Sequence, residues 1–589
     1  YVYFTSKRGE SDDPPPYNAK TQVWKASVNG GEPQPVTRFK KGVSAFALSK
    51  DGKTLYYVTS SEDVEEPWKD LKEKFDDLEY GRGPIAFSEL WALNLENWRA
   101  EKLIAEQRVI GEFTVAPDGK RIAMITTPNE ELITNEGLSR VDVWDASSKT
   151  VTTLPDALFR AQAPSPYGWL EGLTWSADGM KLAFRVDFDG YPAQLLVAHY
   201  DGSNVMMQQL QRPGEFSLGS SAQMQWLGNS YDLCFISEQR ARARVACIRN
   251  IRPDSQGKYD ILTPGDYVAG GFSVTPDGRT LAAALGDVTQ PGDIFITPTT
   301  GKPNLRRISR INPQIDTWKL PQIQIVSWIG ARGDTVEGIL ELPYDYKPGT
   351  PLPLHVALHG GPTDADKYYF EYWIYGRGLW PTLGWAVFAP NYRGSTGYGD
   401  KFLTDLIGHE ADIEVEDVLK GVDALVARGI ADPEKMAVSG WSNGGFLTNA
   451  IITQTDRFKA ASSGAGVIDM GIQWGIEDTP GHVVNYMQGL PWQTPDAYRK
   501  ASPLWNLDKV KTPTLIHVGG QDERVPPANA WALFRGLDFY LKVPTELVVY
   551  PGQGHGLRKY THRKAKLEWD IAWFDHYVLG KPLNEPEKP

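Results

Sequence analysis

Lys435–Thr453 reads KMAVSGWSNGGFLTNAIIT, and this stretch decides the fold of the second half of the chain. A short apolar run, KMAVSG, enters Gly440-Trp441-Ser442-Asn443-Gly444-Gly445, and a helix-compatible run follows. This is G-x-S-x-G in a strand–turn–helix setting, where glycines permit a sharp turn that lifts the serine hydroxyl clear of the sheet. A serine hydroxyl is a weak nucleophile unless a base lies within hydrogen-bond reach. The matching chain order is Ser, then Asp or Glu, then His. Asp522 follows the strand-like TLIHVGG, and His555 follows ELVVY inside Gly552-Gln553-Gly554-His555-Gly556. Glu523 is the rival acid, but Asp522 comes first after the turn. His355 and His517 fall within strands, and His562 and His576 on a terminal helical stretch, where packing or solvent exposure explains them. A developing oxyanion needs preorganised donors. Asn443 offers one backbone N–H, and Gly361 of His359-Gly360-Gly361-Pro362, after the strand LHVAL, is expected to offer the second.

The same texture extends from residue 313 to 589. Short apolar strands ending in Gly-rich turns alternate with helical stretches such as DIEVEDVLKGVDALVARG. Such alternation predicts a doubly wound, mostly parallel sheet with its functional residues at the carboxyl ends of strands. Residues 1–312 read differently. SKDGKTLYYV, APDGKRIAMI, SADGMKLAFR and TPDGRTLAAA repeat a hairpin around Asp51, Asp118, Asp178 and Asp277, with a degenerate copy near Gly228. Recurrence of a four-strand unit at this spacing predicts a β-propeller. Six blades are counted, the first without its opening strand, so a propeller of six to seven blades is expected. An acidic, helix-compatible insertion between Ser61 and Pro84 is surplus to any blade.

Composition narrows the function classes. The 589 residues are 41% apolar and 23% charged, as in ordinary globular protein. A net charge of −12 without a basic block disfavours nucleic acid and anionic membrane as partners. No stretch reads as a transmembrane segment. Tyr1 opens the sequence, so a leader was removed or the chain was trimmed. The two cysteines, Cys234 and Cys247, exclude a cysteine zinc site, and no metal or other cofactor is expected. They flank a hairpin-like stretch almost symmetrically, so bonded and free thiols are both open. A bond would favour an extracytoplasmic location over a cytoplasmic one.

HGGP, NYRGSTGYG, GWSNGG, GGQDERVP and GHG, behind a propeller, resemble the prolyl oligopeptidase family of serine peptidases. HGGP is similar to its acylaminoacyl-peptidase and bacterial dipeptidyl-peptidase-like branch. The resemblance implies a triad of Ser442, Asp522 and His555, backbone donors at Gly361 and Asn443, and short peptides as substrates. It also places Trp474, Tyr486 and Met487 in a specificity pocket, and it leaves a homo-oligomer open. Glu65 or Glu66 of the insertion is expected to reach a substrate's free α-amino group. A carboxylic-ester hydrolase using the same triad is the alternative activity, and an inert propeller binding protein the alternative class.

Overall fold

The computed structural model describes residues 1–583, apart from 66–68, 76–84, 105, 107, 128–136, 203, 229, 372–375 and 480. Strands up to Arg307 form small antiparallel sheets that divide into six propeller blades. The first has three strands, beginning at Val2–Lys7, and the next three have four each. The fifth and sixth blades are joined into one sheet by a single parallel pairing, Ala243 with Val268. Each repeated turn is built the same way. Gly52, Gly119, Gly179 and Gly278 take φ between +67° and +71°. The preceding aspartate keeps an ordinary φ and caps the turn instead, accepting from the backbone N–H two residues on at 2.9–3.1 Å. The motif thus divides its labour between a residue that bends and a residue that bonds.

Cys234 and Cys247 sit directly opposite each other on the antiparallel strands Leu233–Gln239 and Arg242–Arg249, and their sulfurs are bonded. Both are wholly buried in the core of the fifth and sixth blades. The acidic insertion carries a short helix, Lys69–Lys74. Glu65 ends the strand Thr54–Glu65, opposite Ile85. Glu66 and the Glu65 side chain lie outside the described residues.

The remaining chain builds one eight-stranded sheet from β1 (Gln322–Ile329), β2 (Thr335–Leu342), β3 (Leu352–Leu358), β4 (Ala386–Asn391), β5 (Ala431–Trp441), β6 (Ala460–Gly464), β7 (Thr514–Gly519) and β8 (Thr545–Tyr550). Their order is 1-2-4-3-5-6-7-8, antiparallel at β1–β2–β4 and parallel from there on. Helices α1 (Ile413–Ala427), α2 (Asn443–Gln454) and α3 (Tyr560–Tyr577) pack on it. The central strands carry near-continuous apolar runs, as parallel strands covered on both faces require. Val356, Phe388, Val438, Leu447 and Ile516 share that core. This is the α/β-hydrolase order, and the chain is a propeller followed by an α/β-hydrolase domain. The expected division at 312/313 lies between the last blade strand, Arg306–Arg307, and β1. Among the described residues no helix is long and apolar enough to cross a membrane.

The bonded pair closes a short loop across two core strands, so its loss exposes entropy in the unfolded chain worth about 2–4 kcal/mol. Cys234→Ala with Cys247→Ala should therefore melt at a measurably lower temperature than wild type by calorimetry. Equal melting temperatures would show that strand pairing alone holds these blades.

Candidate active site

β5 ends at Trp441 and α2 begins at Asn443, so Ser442 alone makes the turn between them. It does so at φ 61° and ψ −124°, a conformation that side-chain-bearing residues rarely adopt. The strain is held by backbone bonds on both sides: Ser442 N–H donates to Gly464 and Phe446 N–H donates to Ser442. Gly440 and Gly444 touch across the turn, since a Cβ on Gly440 would meet the Gly444 carbonyl carbon at 2.3 Å. The loop after β3 passes next to the serine. A Cβ on Gly360 would lie 3.3 Å from Ser442 Cβ and 3.9 Å from its Oγ.

The loops after β7 and β8 carry Asp522 and His555. His555 Nδ1 lies 2.9 Å from Asp522 Oδ2 and 3.1 Å from Oδ1. Asp522 is 3% exposed, and its Oδ1 also accepts from the Arg524 and Val525 N–H groups. Those donors hold the carboxylate aimed at the imidazole. Glu523 is exposed, and its side chain has no bond to His555 among the described residues. Trp441 Nε1 donates to the His555 carbonyl at 2.8 Å, tying the histidine loop to the residue before the serine. Ser442, His555, Gly361 and Asn443 line one cavity of about 900 Å³.

Tyr392, from the NYRG stretch after β4, is a positioning residue that sequence reasoning passed over. Its wholly buried hydroxyl donates to the His359 carbonyl at 2.6 Å and accepts from Asn443 Nδ2 at 3.2 Å. The His359 ring stacks on the Tyr392 ring at 4.3 Å, and His359 Nε2 pairs with Ser395 Oγ. One phenol thus fixes the two loops that carry the Gly361 and Asn443 N–H groups. The other histidines are elsewhere. His355 is buried against Trp380 and Phe574, and burial pushes its imidazole down to about 3. His517 is buried beside Asp570 and Tyr550.

The expected specificity residues are displaced by one layer. Tyr486 and Met487 are buried in a core cluster, and Trp474 packs edge-on against Trp492. None of the three lines the cavity. Tyr486 and Met487 fill the interior beneath the wall, whereas Trp474 is only partly buried. The same segment instead turns Met470, Gln473, Glu477 and His482 to the cavity, beside Trp441, Phe446, Val467 and Val525. The one signal for this is the set of three ionisable residues in EDTPGH, Glu477, Asp478 and His482. The propeller contributes Phe188, Asp189, Tyr191 and Arg212 to the same cavity.

Residues 377–581 match the prolyl oligopeptidase family. The matched residues lie wholly within the hydrolase domain. Among curated relatives, the acylamino-acid-releasing enzyme of Arabidopsis thaliana is 34% identical over 235 residues, 38% of this chain and 30% of that protein. Dipeptidyl aminopeptidase BIII of Pseudoxanthomonas mexicana is 26% identical over 333 residues, covering 54% of this chain and 46% of the relative. The matches thus span about a third to a half of the length of these relatives. The acylaminoacyl peptidase of Pyrococcus horikoshii shares the fold, with a TM-score of 0.77 at 18% identity over 99% of this chain and 88% of that one.

Two substitutions separate these parts. Asp522→Asn would hold the imidazole in the wrong tautomer, lowering kcat by roughly 10³–10⁴-fold with the fold intact. Tyr392→Phe removes one bond to each donor loop and should lower kcat about tenfold while moving KM little. Steady-state kinetics read both, and a Tyr392→Phe effect confined to KM would contradict the positioning role.

Proposed function

We propose that the protein is a serine peptidase that cleaves short peptides inside the cavity between residues 1–312, which restrict access, and the catalytic domain of residues 313–589. The single observation that carries this is the convergence of the bonded Asp522–His555 pair, Ser442 and the Gly361 and Asn443 N–H groups on one enclosed space. Ser442 Oγ attacks the scissile carbonyl carbon while His555 Nε2 takes its proton. Asp522 holds the imidazole and stabilises its cation, and the Gly361 and Asn443 N–H groups take the oxyanion. His555 returns the proton to the leaving amine, and water then releases the acyl group by the same steps. A cavity of this size holds a few residues and excludes a folded domain. The apolar wall of Trp441, Phe446, Val467, Met470 and Val525 suits the aliphatic or aromatic part of a P1 side chain.

The names of the relatives support this reading. One solved acylaminoacyl peptidase with this fold, 17% identical, is in complex with Z-Gly-Gly-Phe-chloromethyl ketone. The buried Cys234–Cys247 bond supports an oxidising, extracytoplasmic compartment.

A fluorophosphonate probe should label wild type at Ser442, and peptide-library profiling by mass spectrometry should show cleavage of short peptides. Ser442→Ala should abolish labelling and cut turnover at least ~10³-fold. Hydrolysis of p-nitrophenyl esters with every peptide left intact would overturn the peptidase reading in favour of an esterase.

A further inference from the structure

The cavity wall also carries a recess-forming cluster of ionisable groups, Asp189, Glu477 and His482, that the proposed reaction does not use. Glu477 and His482 reach it from the segment after β6, and Asp189 from the propeller loop after Lys181–Asp187. His482 Nδ1 lies 3.5 Å from Glu477 Oε2, which also accepts from Gln473 Nε2 at 2.7 Å. Glu477 is 2% exposed and lines the cavity, yet its Oε1 has no hydrogen-bond partner among the described residues. The same holds for Thr479 Oγ1, on the same wall, and for both carboxylate oxygens of buried Glu410 behind it. Asp189 is partly exposed to the cavity, and its carboxylate makes no hydrogen bond or ion pair among the described residues. Arg524, also on the cavity wall, is paired with Asp478.

Three carboxyl groups therefore surround one imidazole, and the surplus charge is negative. The titration of the cluster agrees with this. Burial works against the His482 cation, but the Glu477 bond and charge, with Asp189 and Glu410, lift it to about 10. Burial, with the charges of Glu477 and Asp189 opposing ionisation and His482 favouring it, brings Glu410 up to about 7. Burial likewise raises Asp189 and Glu477. A cation entering here would meet acceptors whose own ionisation it favours.

The recess is also fixed relative to the reacting carbonyl. Gly190 N–H, next to Asp189, donates to Thr363 Oγ1 at 2.9 Å, and Thr363 stands two residues after Gly361. Thr363 Oγ1 in turn lies 3.1 Å from Tyr486 OH, and Asn485 Nδ2 donates to the Asp189 carbonyl at 3.0 Å. Resting on the peptidase reading, we propose that Asp189 and Glu477 form a subsite for a protonated amine of the substrate, either its α-ammonium or a lysine side chain. The methylenes of a lysine would lie along Met470 and Val467 on the way in, as long cationic side chains commonly do. An α-ammonium would reach the recess from a peptide whose terminus lies close to the scissile bond.

The test is kcat/KM at pH 7 for four dipeptidyl 4-nitroanilides, with lysine or norleucine at P1 and a free or acetylated amino terminus. An amine-bearing substrate should exceed its neutral counterpart by about tenfold or more, as expected for a charge-assisted bond out of water. The lysine–norleucine and free–acetylated comparisons identify which amine binds. In Asp189→Asn and in Glu477→Gln that ratio should fall at least about fivefold. Fluorophosphonate labelling of Ser442 in each variant verifies that the site is assembled. Ratios near one in both wild-type comparisons, or a ratio that survives both substitutions, overturn the subsite. Wild type that cleaves the neutral substrate without amine preference removes the subsite alone. Failure to cleave any of the four, with esters still hydrolysed, removes the peptidase reading and the subsite with it.

Discussion

Around Ser442 three pieces of backbone approach more closely than any side chain would permit. A Cβ on Gly444 would lie 2.1 Å from the Leu358 carbonyl oxygen at the end of β3, and one on Gly445 would lie 2.3 Å from the Gly464 oxygen at the end of β6. The first turn of α2 is therefore wedged between the two strands that flank β5. Because these contacts are backbone to backbone, side-chain repacking cannot relieve them. They set the height of the serine above the sheet and bring the HGGP loop beside it. The position of every other group follows from that wedge. Gly360 approaches the serine because β3 ends against α2, and Tyr392 can span to Asn443 because β4 is the neighbour of β3.

The histidine and aspartate are placed by a longer lever. They stand at the ends of β7 and β8, the last two strands of the sheet, and the Trp441 bond to the His555 carbonyl brings that outer edge back to the serine. Beneath them, Asp570 of α3 accepts from Ser462 on β6 and His517 on β7, and pairs with buried Lys566. The terminal helix thus clamps the strands that carry the acid and the base to the middle of the sheet. A fully satisfied buried network of this kind specifies one arrangement, where a half-satisfied one would loosen it.

How much of this the sequence discloses depends on the kind of constraint. G-x-S-x-G, the Asp-Gly turns and the strand-end loops of Asp522 and His555 are local chemistry, and local chemistry leaves local patterns. The six blades and the strand–helix alternation could be read for the same reason. The cavity wall could not. Trp474, Tyr486 and Met487 attract attention because they are large and mostly apolar, and that property sends Tyr486 and Met487 into the core and packs Trp474 against it. The groups that do face the cavity, Glu477 and His482 among them, look in sequence like ordinary surface residues. Their burial is decided by a propeller loop nearly three hundred positions away, through Asn485 and Asp189. Tyr392 was hidden differently: its motif is visible, but its two hydrogen bonds join loops that no spacing relates.

The two domains therefore do different physical work on the same space. The hydrolase sheet supplies rigid geometry, and the propeller supplies enclosure. Thr396 Oγ1 and Lys367 Nζ both reach Glu238 of the fifth blade, Gly397 N–H donates to Ser217, and Ser165 Oγ donates to Asn485. A small apolar cluster, Ala241 of the propeller with Ile323, Ile339, Phe370 and Ala389 of the hydrolase domain, joins the two domains beside these buried hydrogen bonds. Such bonds have strict geometry and little net strength in water, so they fix the relative placement of the domains more than they stabilise it. Enclosure in turn changes the worth of every charge inside, because Asp189, Glu477 and Glu410 are surrounded largely by protein, which screens charge less than bulk water does. Charge repulsion that an open groove would dissipate is retained within the wall of the cavity. On the proposed reading, discrimination among substrates depends on both domains, since Asp189 comes from one and Glu477 from the other.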